Sequence, residues 1–331
     1  MVTSRDVARL AGVSQPTVSR ALTDHPRVSE ATKRKVREAA RALGYSTNAI
    51  GRALSVGRSN RIGLVVADLE NQFYANMIAP LHDELERLGH ELVLITESAA
   101  SAPLPERVAA HGLAGVILST TTVDSIQPAR LRDRGVPFVY LNRVAPGVRA
   151  DAVTVDPEAG VREIVAEAVR LGHTRIGAIF GPRNTSTGEQ REQVVRGVLD
   201  EHGLGLAQRD VLHGPFDFGT GRDGFRALRE RAGGPTLVLC GNDVVALGVL
   251  DAAAESGVPV PEHTSVVGFD DLPTSRWALV RLSTIAYDLD EVARESARLV
   301  VARLREPDAE TAHVVYPTHY VARSTVSGPR A

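Results

Sequence analysis

The sequence predicts an α/β protein in three parts: a small helical head with a helix-turn-helix, a short join, and a two-lobed body built on two parallel sheets around a cleft. Three observations carry this. Residues 4–43 place apolar side chains at helical spacing, short β-branched runs alternate with amphipathic stretches from residue 61 onward, and positive charge is concentrated at the front of the chain. Of 331 residues, 43% are hydrophobic and 24% charged, a globular balance that excludes a disordered chain. No apolar run approaches the ~18 residues of a membrane span and the start carries no apolar signal core, so a cytoplasmic protein without a membrane partner is expected. The single Cys240 excludes an internal disulfide and a Cys-rich metal site; it reads as a small buried side chain.

In the head, Val7, Ala8, Leu10 and Ala11 form one apolar stripe, Val18, Ala21 and Leu22 a second, and Val36, Ala39, Ala40 and Leu43 a third. Three helices are therefore expected. Ser14 suits the cap of the second, and Ser29 that of the third, with Glu30 placed to favour the helix dipole. Gly12 supplies the sharp turn and Gly44 an end to the third helix. Pro16 falls inside the second helix, but as its second residue, where the backbone amide has no helical partner to lose. Residues 1–60 hold eleven basic and four acidic side chains, a net +7, against −9 for the remainder. A basic head on an acidic body points to a polyanion met by the head alone.

In the body, "RIGLVVA", "ELVLIT", "GVILST", "FVYL", "RIGAIF", "TLVLC" and "TSVVGFD" read as strands of parallel sheets, apolar on both faces. Amphipathic helices are expected near 77–88, 158–171, 189–202, 222–232 and 243–256. The ~270 residues after the head exceed what one open sheet needs, which predicts two lobes. The boundaries expected are a head over 1–47, a hinge helix and linker over 48–60, and a body over 61–331. Its lobes would be 61–156 plus 288–317, and 157–287 plus 318–331. The segment 271–289 is the expected return from the second lobe to the first, and "SVGRSN" at 55–60 reads as a flexible join. No Gly-rich phosphate loop, G-x-S-x-G elbow or His-Glu-x-x-His pair is present, and the histidines are scattered. No catalytic residue, metal site or cofactor is expected.

The string "TSRDVARLAGVSQPTVSRAL" resembles the N-terminal signature of the lactose-repressor and galactose-repressor (LacI/GalR) family of bacterial transcription regulators. "VSEATKRKVREAARALGYSTNAIGRAL" continues the likeness, and "NQFY", "LGHTRIG", "CGNDVVALG", "VVGFDD" and "YVARST" extend it through the body. It implies a periplasmic-binding-protein-like body and a repressor that binds double-stranded operator DNA as a homodimer. Operator affinity would be controlled by a small sugar-like effector in the cleft. A nucleoside or purine-type corepressor is the alternative effector, and a sugar-binding protein without a regulatory role the alternative function. The absence of a heptad-patterned tail speaks against a tail-mediated tetramer.

The likeness also assigns residues. Gln15, Pro16, Thr17 and Arg20 would read bases in the major groove, where a good bidentate pair such as arginine on guanine contributes roughly 1–3 kcal/mol of discrimination. Ser14, Ser19, Ser29, Thr32, Tyr45 and Asn48 match phosphate contacts. For Ser14 and Ser29 plain helix capping is equally consistent with the residues, and for Ser19 and Thr32 a solvated helix face. In "NAIGRALS" the family places a hinge helix in the minor groove, with Leu54 as the wedging leucine. Gly51, where the family usually has alanine, costs about 1 kcal/mol in a helix interior, so the hinge is expected to fold only on DNA. In the cleft, Phe73, Tyr74, Asp156, Thr187, Arg191, Asn242 and Asp270 would hold the effector, chemistry suited to vicinal hydroxyls and a sugar ring. Helix or turn capping is the plainer reading of Asp156 and Asp270, and a surface helix arginine that of Arg191.

The sequence also departs from the family pattern. Val194 and Val195 replace its usual Gly-Phe pair, Asn142 stands where aspartate is commoner, and residues 97–115 are about one helical turn shorter. An extra residue in "FDFGTGRDGF" leaves open whether Phe216 or Phe218 faces the cleft.

Overall fold

The computed structural model describes residues 3–22, 25–43, 59–67, 69, 71–97, 102–231 and 234–329. The chain divides into two units, Met1–Ser59 and Asn60–Ala331. Gly44, Tyr45, Asn48, Gly51, Leu54 and most of the expected join lie outside the described residues.

The first unit contains helices α1 (Ser4–Ala11), α2 (Gln15–Leu22) and α3 (Glu30–Ala42). Each begins for a local reason. Thr3 donates both its amide and its hydroxyl to the Asp6 carboxylate at the start of α1, the Ser14 hydroxyl accepts from the Thr17 amide at α2, and Ser29 accepts from Thr32 at α3. Gly12 ends α1 at φ 64°, a left-handed conformation that a side chain would strain. The three apolar stripes close on one another, with Val7, Val18, Ala21 and Val36 almost fully buried. Leu10, read as part of the first stripe, is instead 55% exposed.

The second unit begins with β1 (Arg61–Val66), α4 (Gln72–Arg87), β2 (Glu91–Thr96), α5 (Leu104–Ala110), β3 (Gly115–Leu118), α6 (Gln127–Asp133), β4 (Phe138–Leu141) and β5 (Asp151–Asp156). After Pro157 come α7 (Glu158–Leu171), β6 (Ile176–Phe180), α8 (Ser186–Glu201), β7 (Val211–His213), α9 (Phe218–Arg229), β8 (Leu237–Cys240), α10 (Asp243–Glu255), β9 (Ser265–Phe269) and β10 (Ser283–Ala286). Helix α11 (Leu289–Arg305) and strands β11 (His313–Pro317) and β12 (His319–Val321) complete it. One sheet has the order β11-β5-β4-β3-β1-β2 and the other β12-β10-β9-β8-β6-β7. The chain thus passes between the sheets after Asp156, after Ala286 and after Pro317. Every pairing is parallel except that of β12 with β10.

One strand differs from the sequence reading. "ELVLIT" was expected to be covered on both faces, but β2 is the outer strand of its sheet and only Ile95 in it is fully buried. Helix α11, outside the second sheet's core, packs on α4 of the first lobe. There the buried Glu84 carboxylate accepts from Arg87 at 2.6 and 2.9 Å and from Arg298 at 2.9 Å. These bonds, Arg87's foremost, hold its pKa down at about 2 from an ordinary 4.5. A depressed carboxylate stabilises the fold above its unfolded pKa and loses that contribution as pH falls through the folded one. Acid-limb stability between pH 4.5 and 2 is therefore expected to be shallower in Glu84→Gln than in the wild type, as measured by urea unfolding at stepped pH. An unchanged limb would show that the pair adds nothing. No described helix is long and apolar enough to cross a membrane.

Candidate functional site

Among the described residues, the exposed face of one helix in the head and a cleft in the body bring together the side chains of interest. In the head, α2 turns Val18 and Ala21 inward, which leaves Gln15, Pro16, Ser19 and Arg20 on its exposed face. Pro16 is the second residue of an unbroken helix. The Gln15 side-chain amide donates to the Ser4 hydroxyl at 2.9 Å, so a neighbouring helix sets its direction. Thr17 sits differently. It is half-buried, and its hydroxyl pairs with that of Ser14 at 2.8 Å, as Thr32 pairs with Ser29 at 2.9 Å. Ser14 and Ser29 are therefore caps that remain exposed, which is compatible with a phosphate contact.

In the body, ten side chains line a cleft between the carboxyl ends of the two sheets: Asn71, Phe73, Tyr74, Asn142 and Arg143 from the first lobe face Thr187, Arg191, Phe216, Asn242 and Asp270 from the second. The cleft is tight. About 270 Å³ is empty, including its mouth, against ~300–1,000 Å³ for usual ligand pockets. Hydrogen bonds from Asn71 Nδ2 to the Phe216 carbonyl at 2.9 Å and from Thr274 to Gln72 at 2.9 Å hold one side of it across the lobes.

A buried ion pair forms the floor. Arg191 Nη2 donates to Asp270 Oδ1 at 3.0 Å, its other nitrogen donates to the Gly241 carbonyl, and its guanidinium lies 3.6 Å over the Phe269 ring. Asp270, 3% exposed and at φ 106°, also accepts from the Tyr287 hydroxyl at 3.2 Å. Burial raises the Asp270 pKa and Arg191 opposes it; Tyr287 is driven well above its ordinary value by burial and the neighbouring carboxylate. Two consecutive non-glycine residues at positive φ, Asp270 and Asp271, end β9. Such strain is found where a side chain must be aimed. Ion pairs from Asp271 to Arg276 at 2.9 Å and to Arg323 at 2.6 Å hold this corner, which gives the "YVARST" string a structural purpose.

Two lining groups are donors or acceptors with capacity to spare. Thr187 is 6% exposed, yet its hydroxyl has no hydrogen-bond partner among the described residues. Asn242 spends its side-chain oxygen on the Val245 amide as the cap of α10, which leaves its NH2 end for a guest. Phe73 and Tyr74 pack edge to face at 5.5 Å and add an apolar wall.

Of the residues assigned from sequence, Phe73, Tyr74, Thr187, Arg191, Asn242 and Asp270 converge on the cleft. Asp156 does not line it: its carboxylate accepts from the Glu158 amide where the chain leaves the first lobe. The aromatic residue left open is Phe216, whose ring lies against Gly181 and Gly241, whereas Phe218 opens α9 and is 42% exposed. Sequence reasoning missed Asn71, Asn142 and Arg143. Open parallel sheets bind ligands beyond the carboxyl ends of their strands, and "VYLNR" at the end of β4 carries that signal for the last two. Among the described residues no cluster of histidine, cysteine and acidic side chains is arranged to hold a metal.

Comparison with known proteins decides the family. Residues 3–48 match the bacterial regulatory proteins of the lacI family, and residues 165–326 a periplasmic binding protein-like domain. The HTH-type transcriptional regulator GalR of Salmonella typhimurium is 32% identical over 99% of this chain and 97% of its own. The chain belongs to the LacI family. As a LacI-family protein it is a DNA-binding transcription regulator. Among solved structures, the lac repressor dimer bound to operator and the anti-inducer ONPF aligns with a TM-score of 0.86 and 26% identity over 98% of this chain and 99% of that one. The transcriptional regulator CelR in complex with cellobiose aligns at 0.73 with 30% identity over 98% and 100%.

Proposed function

We propose that this LacI-family regulator is a cytoplasmic repressor that acts as a homodimer on a pseudo-palindromic operator, released or tightened by a sugar or sugar derivative bound in the cleft. The observation that carries the effector is the unpartnered, buried Thr187 hydroxyl beside the Arg191–Asp270 pair. A buried hydroxyl left without a partner costs ~1–3 kcal/mol, and a polyhydroxylated guest restores the bond. The relative in complex with cellobiose supports the same class of guest. In this reading the exposed face of α2 carries base recognition through Gln15, Pro16 and Arg20, while Ser14, Ser19, Ser29 and Thr32 hold phosphates and set the register. Leu54 wedges the minor groove, and closure of the lobes changes the spacing of the two hinges.

Selection of bound sites from random DNA, followed by melting of the full chain against a sugar and nucleoside panel, tests both halves. A palindromic site and a sugar-dependent rise in melting temperature are expected; a nucleoside alone raising it would transfer the effector role to a purine-type corepressor.

The dimer has its own signature. Among the described residues, the two most exposed large apolar side chains, Leu279 and Trp277 at 61%, share one loop of the second lobe. Paired apolar residues this exposed mark an interaction surface, and we assign it to a second copy. Leu279→Asp is expected to shift the sedimentation coefficient from dimer toward monomer at micromolar concentration, and an unshifted dimer would place the interface elsewhere.

A further inference from the structure

Charge in the cleft is unbalanced among the described residues. Three lining side chains are charged: Arg143, Arg191 and Asp270. Asp270 is already engaged by Arg191 and Tyr287. No hydrogen bond or ion pair links the Arg143 guanidinium to a described carboxylate; it stands 5.3 Å from the centre of the Phe216 ring. Its neighbour Asn142 is neutral and 8% exposed. Burial is the largest influence on the Arg143 pKa and lowers it, Arg191 adds to that, and Tyr74 and Asp270 pull the other way.

The backbone aims this arginine on purpose. The Arg143 amide donates to the Leu141 carbonyl at 2.8 Å across Asn142, which is held at φ 65°. A three-residue turn with positive φ at its centre is rare and strained, and asparagine tolerates it better than most residues. The turn directs consecutive side chains of β4's end into the cleft opposite Thr187 and Asp270. A desolvated arginine without a carboxylate is costly unless an anion completes it.

We propose that the effector is a small hydroxylated carboxylate, a sugar acid, and that Arg143 selects for its charge. This rests on the reading that the cleft holds the effector. The lining carries a net charge of one positive unit, which a monoanionic carboxylate balances, whereas a phosphate monoester brings about −1.5 to −2 at neutral pH. The planar guanidinium fork also matches a carboxylate through two parallel hydrogen bonds. The tight cleft limits the guest to a single ring or short chain.

Isothermal titration of the full chain with galacturonate, glucuronate and gluconate, with galactose and glucose, and with glucose 6-phosphate tests this. At least one acid is expected to bind about tenfold to a hundredfold more tightly than its neutral counterpart, the range for a charged hydrogen-bonded pair. That preference is expected to vanish in Arg143→Gln and to persist, reduced, in Arg143→Lys, with circular dichroism showing both variants folded. Equal binding of acid and neutral sugar, or a preference that survives in a folded Arg143→Gln, overturns the inference and leaves the sugar effector standing. Tighter binding of the sugar phosphate than of every acid overturns the carboxylate assignment. If no member of the panel binds, the effector reading falls with it.

Discussion

Arg191→Ala is expected to cost about 3–5 kcal/mol of body stability, because it strands a buried carboxylate that was paired, and to abolish the response of operator binding to effector. The geometry sets both halves. Arg191 touches Asp270, the Gly241 carbonyl, the Phe269 face and the cleft at once, so no neighbour replaces it. In the variant Asp270 keeps only the Tyr287 hydroxyl and is pressed further toward its protonated form. A carboxylate whose folded pKa lies above its unfolded value stabilises the fold at low pH and loses that contribution as pH rises through the folded pKa. The stability gap between variant and wild type is therefore expected to widen as pH rises above the ordinary carboxylate range in urea unfolding. A constant, small gap would show that Arg191 is a solvated helix residue whose pairing is incidental.

Val18→Asp is expected to remove specific operator binding while sparing the body. Val18 is 1% exposed at the centre of a core made by three helices of 8, 8 and 13 residues. A charge there has no partner, and the cost of burying it, about 4 kcal/mol or more, exceeds what a head of ~40 residues can carry. Affinity for the selected operator should fall to the non-specific level, roughly a thousandfold or more. The body is a separate unit, so its melting transition and its ligand titration are expected to stay where they are. A body transition that moves with the head would contradict that independence.

Much of this organisation is legible in the chain. The head is read from side chains at helical spacing because helices this short close a core only when their apolar stripes face one another, as Val7, Val18 and Val36 do. Strands β1, β3, β4, β6, β8 and β9 are legible because they are covered on two faces and reduce to β-branched runs, unlike the interior β5 and β10, whose runs are interrupted by Asp, Thr and Ser. β7, β11 and β12 are not, since edge strands of three to five residues carry half-exposed and polar side chains with no such run. In the cleft, Thr187, Arg191, Asn242 and Asp270 are legible through the family likeness, and the fold sets the first two one turn apart on α8 and the last two beyond strand ends. Arg143 and Phe216 escape because their direction depends on loop conformation, a positive φ at Asn142 in one case and the packing of a ring onto Gly181 in the other. Asp156 shows the converse: a strand-end carboxylate of the right type that the crossing between lobes spends on its own turn.

The regulatory account stands on communication between the cleft and the head, and operator affinity with and without cleft ligand measures it most directly. Using the selected operator and the tightest-binding member of the ligand panel, wild-type affinity is expected to change roughly 5-fold to 150-fold at saturation, the span of 1–3 kcal/mol of coupling. Arg191→Ala should show a ratio of one under the same ligand concentrations. Identical operator affinity with the wild-type cleft filled and empty would contradict the account.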